Sequence, residues 1–527
     1  MKRIILFFAI SFIAGWVYGQ GEMDAFNFSR NEQIGTARGI AMGGAFGALG
    51  AEVTGIAQNP AGIGVYRSSE VVATMDFMSN NIKTNTEGYS VKKNKFKFAF
   101  DNVAYMGYMP LSGDVLKAFN FGFSYNRLKN FDRNYSMSGK DLPGSLSDYT
   151  AEICYRIPVS DLGFRNGYDP YRASNQKGLP WMGILGYEAG IINDVANDEY
   201  QSAWPKGEDI IDNRLQVSER GHIESYDFSC GANISNKLYL GTTLSITDIY
   251  KAVNSYYVEN FFYILNNDLT GFDLDNGMET TGSGFQISLG AIFKPVNALR
   301  LGIAYHSPTW YSMEDSRWGN LVADLPTDET WESHAPDGQD VAITSYKLQT
   351  PDRWVASAAM VLGTKAILSI DYEYANYSRM KLKDLDGFEF AGDNMLISQH
   401  FKGAGTLKAG LEVRVTPQLS IRGGYCWGQS PLVNEFKNGE KEVMMGLNST
   451  IPHFTLEGDA NTYSCGLGYK ITPELYIDLA FSFKTQKDDL YTYSPVYATN
   501  GKKLVDVIPS KFTNNTHKGL VTLGYKF

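Results

Sequence analysis

Hydrophobic and polar residues alternate along most of the chain after residue 69. In the first such run, Glu70 to Phe77, the side chains of Val71, Ala73 and Met75 fall on one face. A period of two predicts a β-strand, because successive side chains of a strand point to opposite faces. The polar segment Asn80 to Glu87 then predicts a turn, and a run of alternating aromatic residues predicts a second strand.

Five later pairs of alternating runs are each joined by a short turn signal and therefore predict β-hairpins. The turns lie at Ser235-Asn236, Pro295–Asn297, Gly363-Thr364, Pro417 and Pro473. Long polar loops are predicted between hairpins, near 253–281, 312–345, 379–400, 428–457 and 487–512. Short turns on one rim and long loops on the other are typical of barrels that span a bacterial outer membrane, with the turns in the periplasm.

The remaining runs complete the predicted barrel. A third strand covers Phe119 to Phe131, and an irregular region follows over roughly Asp132 to Gly221, with a short helix predicted at Trp181 to Ile192. The last strand, His517 to Phe527, ends on an aromatic residue. The predicted fold is all-β: a transmembrane antiparallel β-barrel of about 14 strands, an even number as expected for a single-chain barrel.

The stretch from Gly35 to Tyr66 does not alternate. It is rich in Gly and Ala and nearly free of charge, and neither a strand nor an amphipathic helix fits it. Gly44, Gly47 and Gly50 lack the strand and helix context of a phosphate-binding loop. Small residues instead let a backbone fold tightly in a confined space, and the proline of Asn59-Pro60 predicts a turn. We therefore predict an N-terminal hatch that plugs the barrel lumen.

The first residues predict export. Lys2-Arg3 precede an apolar run from Ile4 to Val17, and small residues then suit a signal-peptidase cut before Gln20. The predicted organisation is a signal peptide over 1–19, a hatch over 20–68 and a barrel with long extracellular loops over 69–527.

The strand faces opposite the apolar ones carry charged residues, which would be costly against lipid and so are predicted to face the lumen. These residues are Lys408, Glu412, Arg414, Arg422, Asp371, Glu373 and Asp478. Hydrogen bonding to the plug and to one another is the favoured role for them, and direct contact with a substrate is the alternative.

Composition and residue spacing argue against several other classes of function. The net charge of −10 and the absence of a basic stripe argue against a nucleic-acid partner. The six histidines lack metal-ligand spacing, and Asp273 to Gly277 reads as a turn rather than a calcium loop. His306-Ser307 has no placed carboxylate. We therefore predict no metal, no cofactor and no enzymatic activity.

The four cysteines do not predict a disulfide. By alternation Cys230 and Cys465 face lipid and Cys426 faces the lumen, while Cys154 falls in a loop. Side chains on opposite faces of neighbouring strands cannot be bridged without backbone movement.

Asn59-Pro60-Ala61, placed just before the first strand, resembles the hatch motif of the FadL/TodX outer-membrane transporters. The preceding GTARGIAMGGAFGALG is also similar to the N-terminal region of that family. The resemblance implies passive uptake of hydrophobic small molecules, most of all long-chain fatty acids, through a plugged barrel in a Gram-negative type outer membrane. It assigns Asn59, Pro60, Ala61 and Gly62 to a hatch near the ligand.

The same resemblance implies a sideways exit into the bilayer beside a kinked third strand, although no proline marks a kink there. The terminal Phe527 resembles the signal read by the barrel-assembly machinery, which is a predicted partner together with the lipid bilayer and a hydrophobic ligand. Two alternatives stay open: a FadL-like barrel that serves a secretion system as a shuttle or structural protein, and a haem receptor.

Overall fold

A computed structural model of the protein describes residues 21–30, 32–33, 35–204, 209–263, 268–327, 329–336, 342–437, 445, 450–498 and 500–527. The predicted signal peptide, 1–19, lies outside the described residues.

Fourteen antiparallel strands form a closed barrel, as predicted. The barrel strands pair in chain order, each with the next, and the last strand pairs with the first, so that Glu70 lies opposite Lys526. The strands are β1 (Glu70–Thr86), β2 (Tyr89–Pro110), β3 (Leu116–Asn130), β4 (Asp209–Ile234), β5 (Leu238–Tyr263), β6 (Asp268–Val296), β7 (Leu299–His306), β8 (Arg353–Leu362), β9 (Ala366–Asn376), β10 (Gly403–Arg414), β11 (Leu419–Gly428), β12 (Ala460–Lys470), β13 (Leu475–Tyr491) and β14 (Ser510–Lys526).

The alternation predicts the two faces of the wall correctly. Along β10, Leu411 and Val413 are exposed on the outside, while Lys408 and Glu412 are buried inside. Cys465 is exposed and Cys426 is buried, and all four cysteines are free thiols. Because the outer surface meets hydrocarbon, apolar side chains are stable there, and the charged ones are confined to the lumen.

Several predicted turns and loops are wrong, because the strands continue beyond the apolar band. The segment Asn80 to Glu87 lies mostly in β1, whose turn is only Glu87-Gly88. The predicted loop 253–281 belongs largely to β5 and β6, and Asp273 to Gly277 is strand rather than turn. Once both faces of a strand meet water or polar protein, the hydrophobic period of two disappears from the sequence although the ladder continues.

The outer half also contains shorter strands, three of which lie wholly or partly in the predicted loop 312–345. They are Arg133–Gly139, Ile192–Ala196, Glu199–Ser202, Trp310–Asp324, Thr330–Ala335, Ile343–Gln349, Lys381–Lys383, Phe454–Leu456, Val496–Tyr497 and Lys503–Val505.

Nine α-helices and two 3-10 helices occur in the described residues. The α-helices are α1 (Glu22–Ser29), α2 (Ala37–Ala41), α3 (Val53–Gln58), α4 (Leu146–Ile153), α5 (Val159–Leu162), α6 (Pro170–Lys177), α7 (Trp181–Glu188), α8 (Ala391–His400) and α9 (Asn434–Lys437), and the 3-10 helices are Pro60–Val65 and Tyr377–Arg379. The predicted helix at Trp181 is therefore present but ends at Glu188. No helix in these ranges combines the length and the apolar character needed to cross a membrane.

The region predicted as irregular, Asp132 to Gly221, is mostly ordered. Helices α4 to α7 pack around Trp181, Leu185 and Ile191 in a large apolar cluster at the outer end of the barrel. The last part of the region, from Asp209, is already β4. Pro and Gly here begin and end short helices: Pro170 occupies the first turn of α6, and Gly178 caps its end in the left-handed conformation.

The topology predicts which segments are accessible from outside the cell. Epitope tags inserted at Asp386-Gly387, between β9 and β10, should be labelled on intact cells, because this segment joins the strand ends opposite the short turns. Tags at Ser235-Asn236 or Pro417 should be labelled only after permeabilisation. Labelling of the short turns on intact cells would show that the barrel is inserted the other way round.

Candidate functional site in the barrel lumen

The segment from Gly35 to Tyr66 lies inside the barrel and is buried along almost its whole length. Its short helices α2 and α3 and the 3-10 helix Pro60–Val65 contact strands on several sides of the lumen. This segment, which we call the plug, is too rich in Gly to hold a long helix, so tight turns connect its elements. Gly43, Gly44 and Gly50 adopt positive φ angles at these turns.

Glycines of the barrel wall form a seat for the plug. A Cβ atom at Gly290 would clash with the Asn59 side chain, and one at Gly241 would clash with the Pro60 carbonyl. Five further wall glycines are in similarly close contact with the plug: Gly231, Gly302, Gly410, Gly424 and Gly466. The two backbones approach each other directly, and this approach fixes the height of the plug in the lumen.

Asn59 connects the plug to itself and to the wall. Its side-chain amide donates hydrogen bonds to the Gly47 carbonyl at 2.7 Å and to the Ala291 carbonyl at 3.2 Å. Its side-chain oxygen accepts from the Ala61 amide at 3.1 Å and so caps the 3-10 helix. Pro60, Ala61 and Gly62, the rest of the predicted hatch motif, are buried beside it.

A chain of ion pairs joins the plug to three of the predicted luminal residues. Arg38 of α2 makes two hydrogen bonds to the Glu412 carboxylate, at 2.8 and 3.0 Å. Glu412 also accepts from Arg422 at 2.6 Å, and Arg422 in turn donates to Asp478 at 2.6 Å. Burial alone would lower the pKa of Arg38, but the Glu412 carboxylate raises it, so the arginine keeps its charge inside the protein.

Two more predicted residues hold the other side of the plug. The Lys408 ammonium donates to the Gln58 side chain at 2.8 Å and to Glu373 at 3.0 Å. Asp371 accepts a hydrogen bond from the Gly47 amide at 2.8 Å. Arg414 differs: it is exposed at the end of β10, on the rim of a polar cavity of about 210 Å³ beneath the plug. Most of the predicted luminal charges therefore contact the plug or one another.

His306 also belongs to the seat of the plug. Its ring nitrogens are hydrogen-bonded to the Ser288 hydroxyl at 2.8 Å and to the Gln58 carbonyl at 3.1 Å. Both nitrogens are therefore occupied within the protein. The neighbouring Ser307 hydroxyl donates to the Pro308 carbonyl rather than to His306.

Beyond the plug, toward the long loops, the lumen holds an apolar chamber that contains α1. Phe26 packs on Phe401 with ring centroids 5.3 Å apart, and Phe28 meets Phe131 edge-on at 6.0 Å. We call this cluster the apolar chamber: Met23, Ala25, Phe26, Phe28, Phe131, Ile223, Ile249, Tyr311, Met313, Tyr346, Leu348, Met380, Leu382, Phe390, Ile397, Phe401, Leu432, Phe436, Met445, Phe454 and Leu456. Side chains of α1 thus occupy apolar space that the rest of the chain encloses.

The beginning of α1 is fixed by a buried polar contact. The Glu22 carboxylate is fully buried and lies 3.2 Å from Nδ1 of His400, the last residue of α8. His400 packs against Phe436 with ring centroids 4.8 Å apart. An outer helix is therefore connected directly to the N-terminal segment inside the chamber.

Two lysines flank Phe131 at the border of the chamber. The ammonium groups of Lys129 and Lys251 lie 5.0 and 5.6 Å from the Phe131 ring centroid, and Lys251 also lies 5.6 Å from that of Phe28. Lys129 donates to the Asn27 carbonyl at 2.6 Å. In the described part of the chain no carboxylate lies within 4.0 Å of the Lys251 ammonium, although its residue is only 5% exposed. Both lysines line a second cavity, of about 70 Å³.

The barrel wall opens beside this point. The β2–β3 ladder extends only from the Pro110–Ala118 pair to the Asn102–Asn126 pair, and beyond it the outer half of β2 pairs with β1 alone. After Asn130 the chain bends inward, and Asn80 and Thr84 on the inner face of β1 donate to the carbonyls of Asp132 and Ser136, both at 2.6 Å. The bend coincides with a register shift between Arg127 and Lys129 rather than with a proline.

Sequence patterns alone miss α1, the two lysines and the wall opening. Residues 22–29 lie within the predicted hatch, but their contacts come from residues up to several hundred positions away. Hydrophobic residues recur at every second position of β3. This period does not show where the neighbouring strand β2 stops pairing with it. Lys129 and Phe131 come just after the apolar part of β3. They are the one local feature of the sequence that indicates a surface with both charged and aromatic side chains.

Comparisons with known proteins agree with this architecture. The family model described as outer membrane protein transport protein (OMPP1/FadL/TodX) matches residues 230–513. A FadL homologue from Pseudomonas aeruginosa has a similar structure, with a TM-score of 0.54, 14% identity, and coverage of 94% of this chain and 99% of that one. At such low identity the similarity shows the fold alone.

Two toluene transporters are also similar. For TodX of P. putida the TM-score is 0.48 at 11% identity, with 94% of this chain and 99% of that one covered. For TbuX of Ralstonia pickettii the TM-score is 0.46 at 14% identity, with the same coverages. No curated protein sequence matches the chain. Because the family model covers more than half of its length, the chain belongs to the OMPP1/FadL/TodX family of outer-membrane transport proteins, and it is a β-barrel channel for hydrophobic compounds in the outer membrane.

Proposed function

We propose that this channel takes up acids with a long hydrophobic chain, such as long-chain fatty acids, by passive diffusion. The observation that carries the proposal is the pairing of the apolar chamber with the buried ammonium of Lys251. A hydrocarbon tail is stabilised by an apolar cavity, while a carboxylate needs a cation once it leaves water. Both requirements are met at one place in the lumen.

The lysines favour an acid over a neutral hydrocarbon. Burying a cation costs free energy unless a carboxylate pairs with it. The Lys251 ammonium lies over the rings of Phe28 and Phe131, and in the described residues its electrostatic partners Asp24 and Glu219 form no ion pair with it within 4.0 Å. A bound carboxylate would offset that cost, whereas toluene would not.

The side chains of α1 suggest how the ligand enters the chamber. Phe26 and Phe28 fill apolar space, and Glu22 places a carboxylate in it next to His400. A fatty acid offers the same chemistry, an apolar body with one carboxylate. On this proposal the ligand exchanges with α1, so that apolar surface stays covered throughout and the chamber is never left empty.

Exit would follow the opening between β2 and β3. Phe131 lines both the chamber and the small cavity, and it lies at the inward bend of the chain. The lower path is closed by the plug, which Asn59 and the Arg38–Glu412 ion pair hold in place. Moving sideways toward lipid therefore costs a hydrophobic ligand less free energy than displacing the plug, which would break this buried ion pair. Asn59, Pro60, Ala61 and Gly62 hold the plug in place beneath this route.

Neutralising the lysines should weaken binding of acids selectively. In Lys129→Met/Lys251→Met the affinity for oleate should fall about 10- to 100-fold, from the roughly 1.5–3 kcal/mol of a hydrogen bond to a charged group. Isothermal titration calorimetry on the folded barrel measures this, with toluene as the neutral probe and Lys347→Met, at an exposed lysine, as the matched control. Equal loss of oleate and toluene binding, or no loss of either, would contradict the proposed ligand class.

Removing the plug should open the barrel to ions. A fourteen-stranded lumen is wide enough to conduct when empty, since channel width grows with strand number. Deletion of Gly35–Gly62 should leave a heat-modifiable barrel with steady conductance in planar bilayers, while the wild-type protein stays closed. Gly290→Val should cause brief openings, because the added side chain meets Asn59. Gly423→Val is the control, since nothing lies within 4 Å of a Cβ at that wall position.

A deletion variant that assembles but remains closed would show that the segment does not seal the lumen. Equal behaviour of the Gly290 and Gly423 variants would show that close contact at the seat does not hold the plug.

A further inference from the structure

A row of lysines crosses the outer surface of the barrel above its apolar band. Lys83 of β1 lies directly opposite Lys92 of β2 on one side and opposite Thr513 of β14 on the other. Thr513 in turn lies opposite Lys487 of β13. All four residues occupy one level of four neighbouring strands. The three lysines, which we call the lysine row, are exposed.

The outward residues below the row change in a regular order. One level down are amides and a hydroxyl, at Asn94, Asn81, Asn515 and Thr485. The next level is partly aromatic, with Phe96 and Phe483 beside Ser79 and His517. The row is thus four residues above the aromatic level, about 13 Å along the strands and about 10 Å along the membrane normal at the usual strand tilt. This is the height of the lipid head groups.

The lysine row lacks compensating negative charge. Like charges directly opposite each other in an antiparallel pair are destabilising, yet Lys83 faces Lys92. Within the described ranges no carboxylate lies within 4.0 Å of the ammonium groups of Lys83, Lys92 or Lys487. Lysines on the inner face of β2 differ, because Lys95 and Lys97 pair with Asp132 at 3.4 and 3.3 Å.

The outward charge above the apolar band differs from strand to strand. On β4 to β6, which begin two strands from β2, the outward residues above the apolar band are of mixed charge and include Glu224, Asp248, Glu279 and Arg220. One level above the lysine row, Lys511 pairs with Asp489 at 2.7 Å, so the excess charge resides in the row itself. A row of lysines at head-group height that lacks carboxylate partners favours an anionic lipid.

We propose that the lysine row binds the phosphate groups of the phosphorylated glycolipid, lipopolysaccharide, that forms the outer leaflet of such membranes. The ammonium groups of Lys83, Lys92 and Lys487 contact the phosphates of its lipid A part. The asparagines beneath them donate to its sugar hydroxyls, and Phe96 and Phe483 pack on its acyl chains. Bound phosphate then removes the repulsion between Lys83 and Lys92. The glycolipid is a surface ligand here, separate from the substrate in the lumen.

The test uses the folded full-length barrel in detergent and purified lipid A that carries two phosphates. Binding is measured by native mass spectrometry and by thermophoresis. Lys83→Gln/Lys92→Gln/Lys487→Gln should raise the Kd at least about tenfold, given the contribution of each lysine near an anionic surface. Lys83→Arg/Lys92→Arg/Lys487→Arg should bind as the wild type does. The charge-matched control is Lys237→Gln/Lys365→Gln/Lys502→Gln, at exposed lysines outside the row.

Dephosphorylated lipid A should bind the wild-type protein weakly. Its affinity should not exceed that of phosphorylated lipid A for the triple glutamine variant. Heat-modifiability confirms that each variant is folded. If the triple variant fails to fold, the single variant Lys92→Gln replaces it and should raise the Kd by a smaller factor. Unchanged binding in the glutamine variants would overturn the proposal. Equally tight, equally lysine-dependent binding of phosphatidylglycerol would also overturn it, because the row would then recognise any anionic lipid.

Discussion

Direct contact between the plug backbone and the glycines of the wall is the constraint on which the rest of the lumen depends. A closed barrel of fourteen strands satisfies its own backbone hydrogen bonds but leaves a wide interior. Gly241, Gly290 and Gly424 allow the plug to meet the wall without intervening side chains. The plug can therefore be short and poor in large residues and still fill the lumen. It also divides the interior into a polar lower part and an apolar upper part.

That division explains why the charged residues inside the barrel are paired. A lumen closed at one level excludes water from the seat of the plug, so each charge there needs a partner. Arg38 meets Glu412, which Arg422 also contacts, and Lys408 meets Glu373. Removing one partner would leave the other buried and uncompensated. These pairs therefore fix the position of the plug more than they add to its stability.

The sequence predicts what depends on a local period, and it fails where a contact is formed between distant segments. Alternation places Leu411 outside and Glu412 inside, and short turns such as Ser235-Asn236 are where the pattern predicts them. Asp273 to Gly277 looks like a turn by composition but belongs to β6, because pairing with β5 and with the strand Trp310–Asp324 decides its conformation. The inward bend after β3 and the placement of Lys251 next to Phe28 have no local signal, since both depend on packing between separate segments.

The two routes out of the apolar chamber differ in their free-energy cost for a hydrophobic ligand. Downward it would have to displace the plug, which is held by the Arg38–Glu412 pair and by Asn59, and then cross a cavity lined by charged residues such as Arg422. Sideways it meets the end of the β2–β3 ladder, beyond which the outer half of β2 pairs with β1 alone. On the proposed route, exchange with α1 at the top and escape through the wall would keep apolar surface covered at each step. The plug can then remain seated throughout transport, so uptake of hydrophobic compounds need not make the outer membrane permeable to ions.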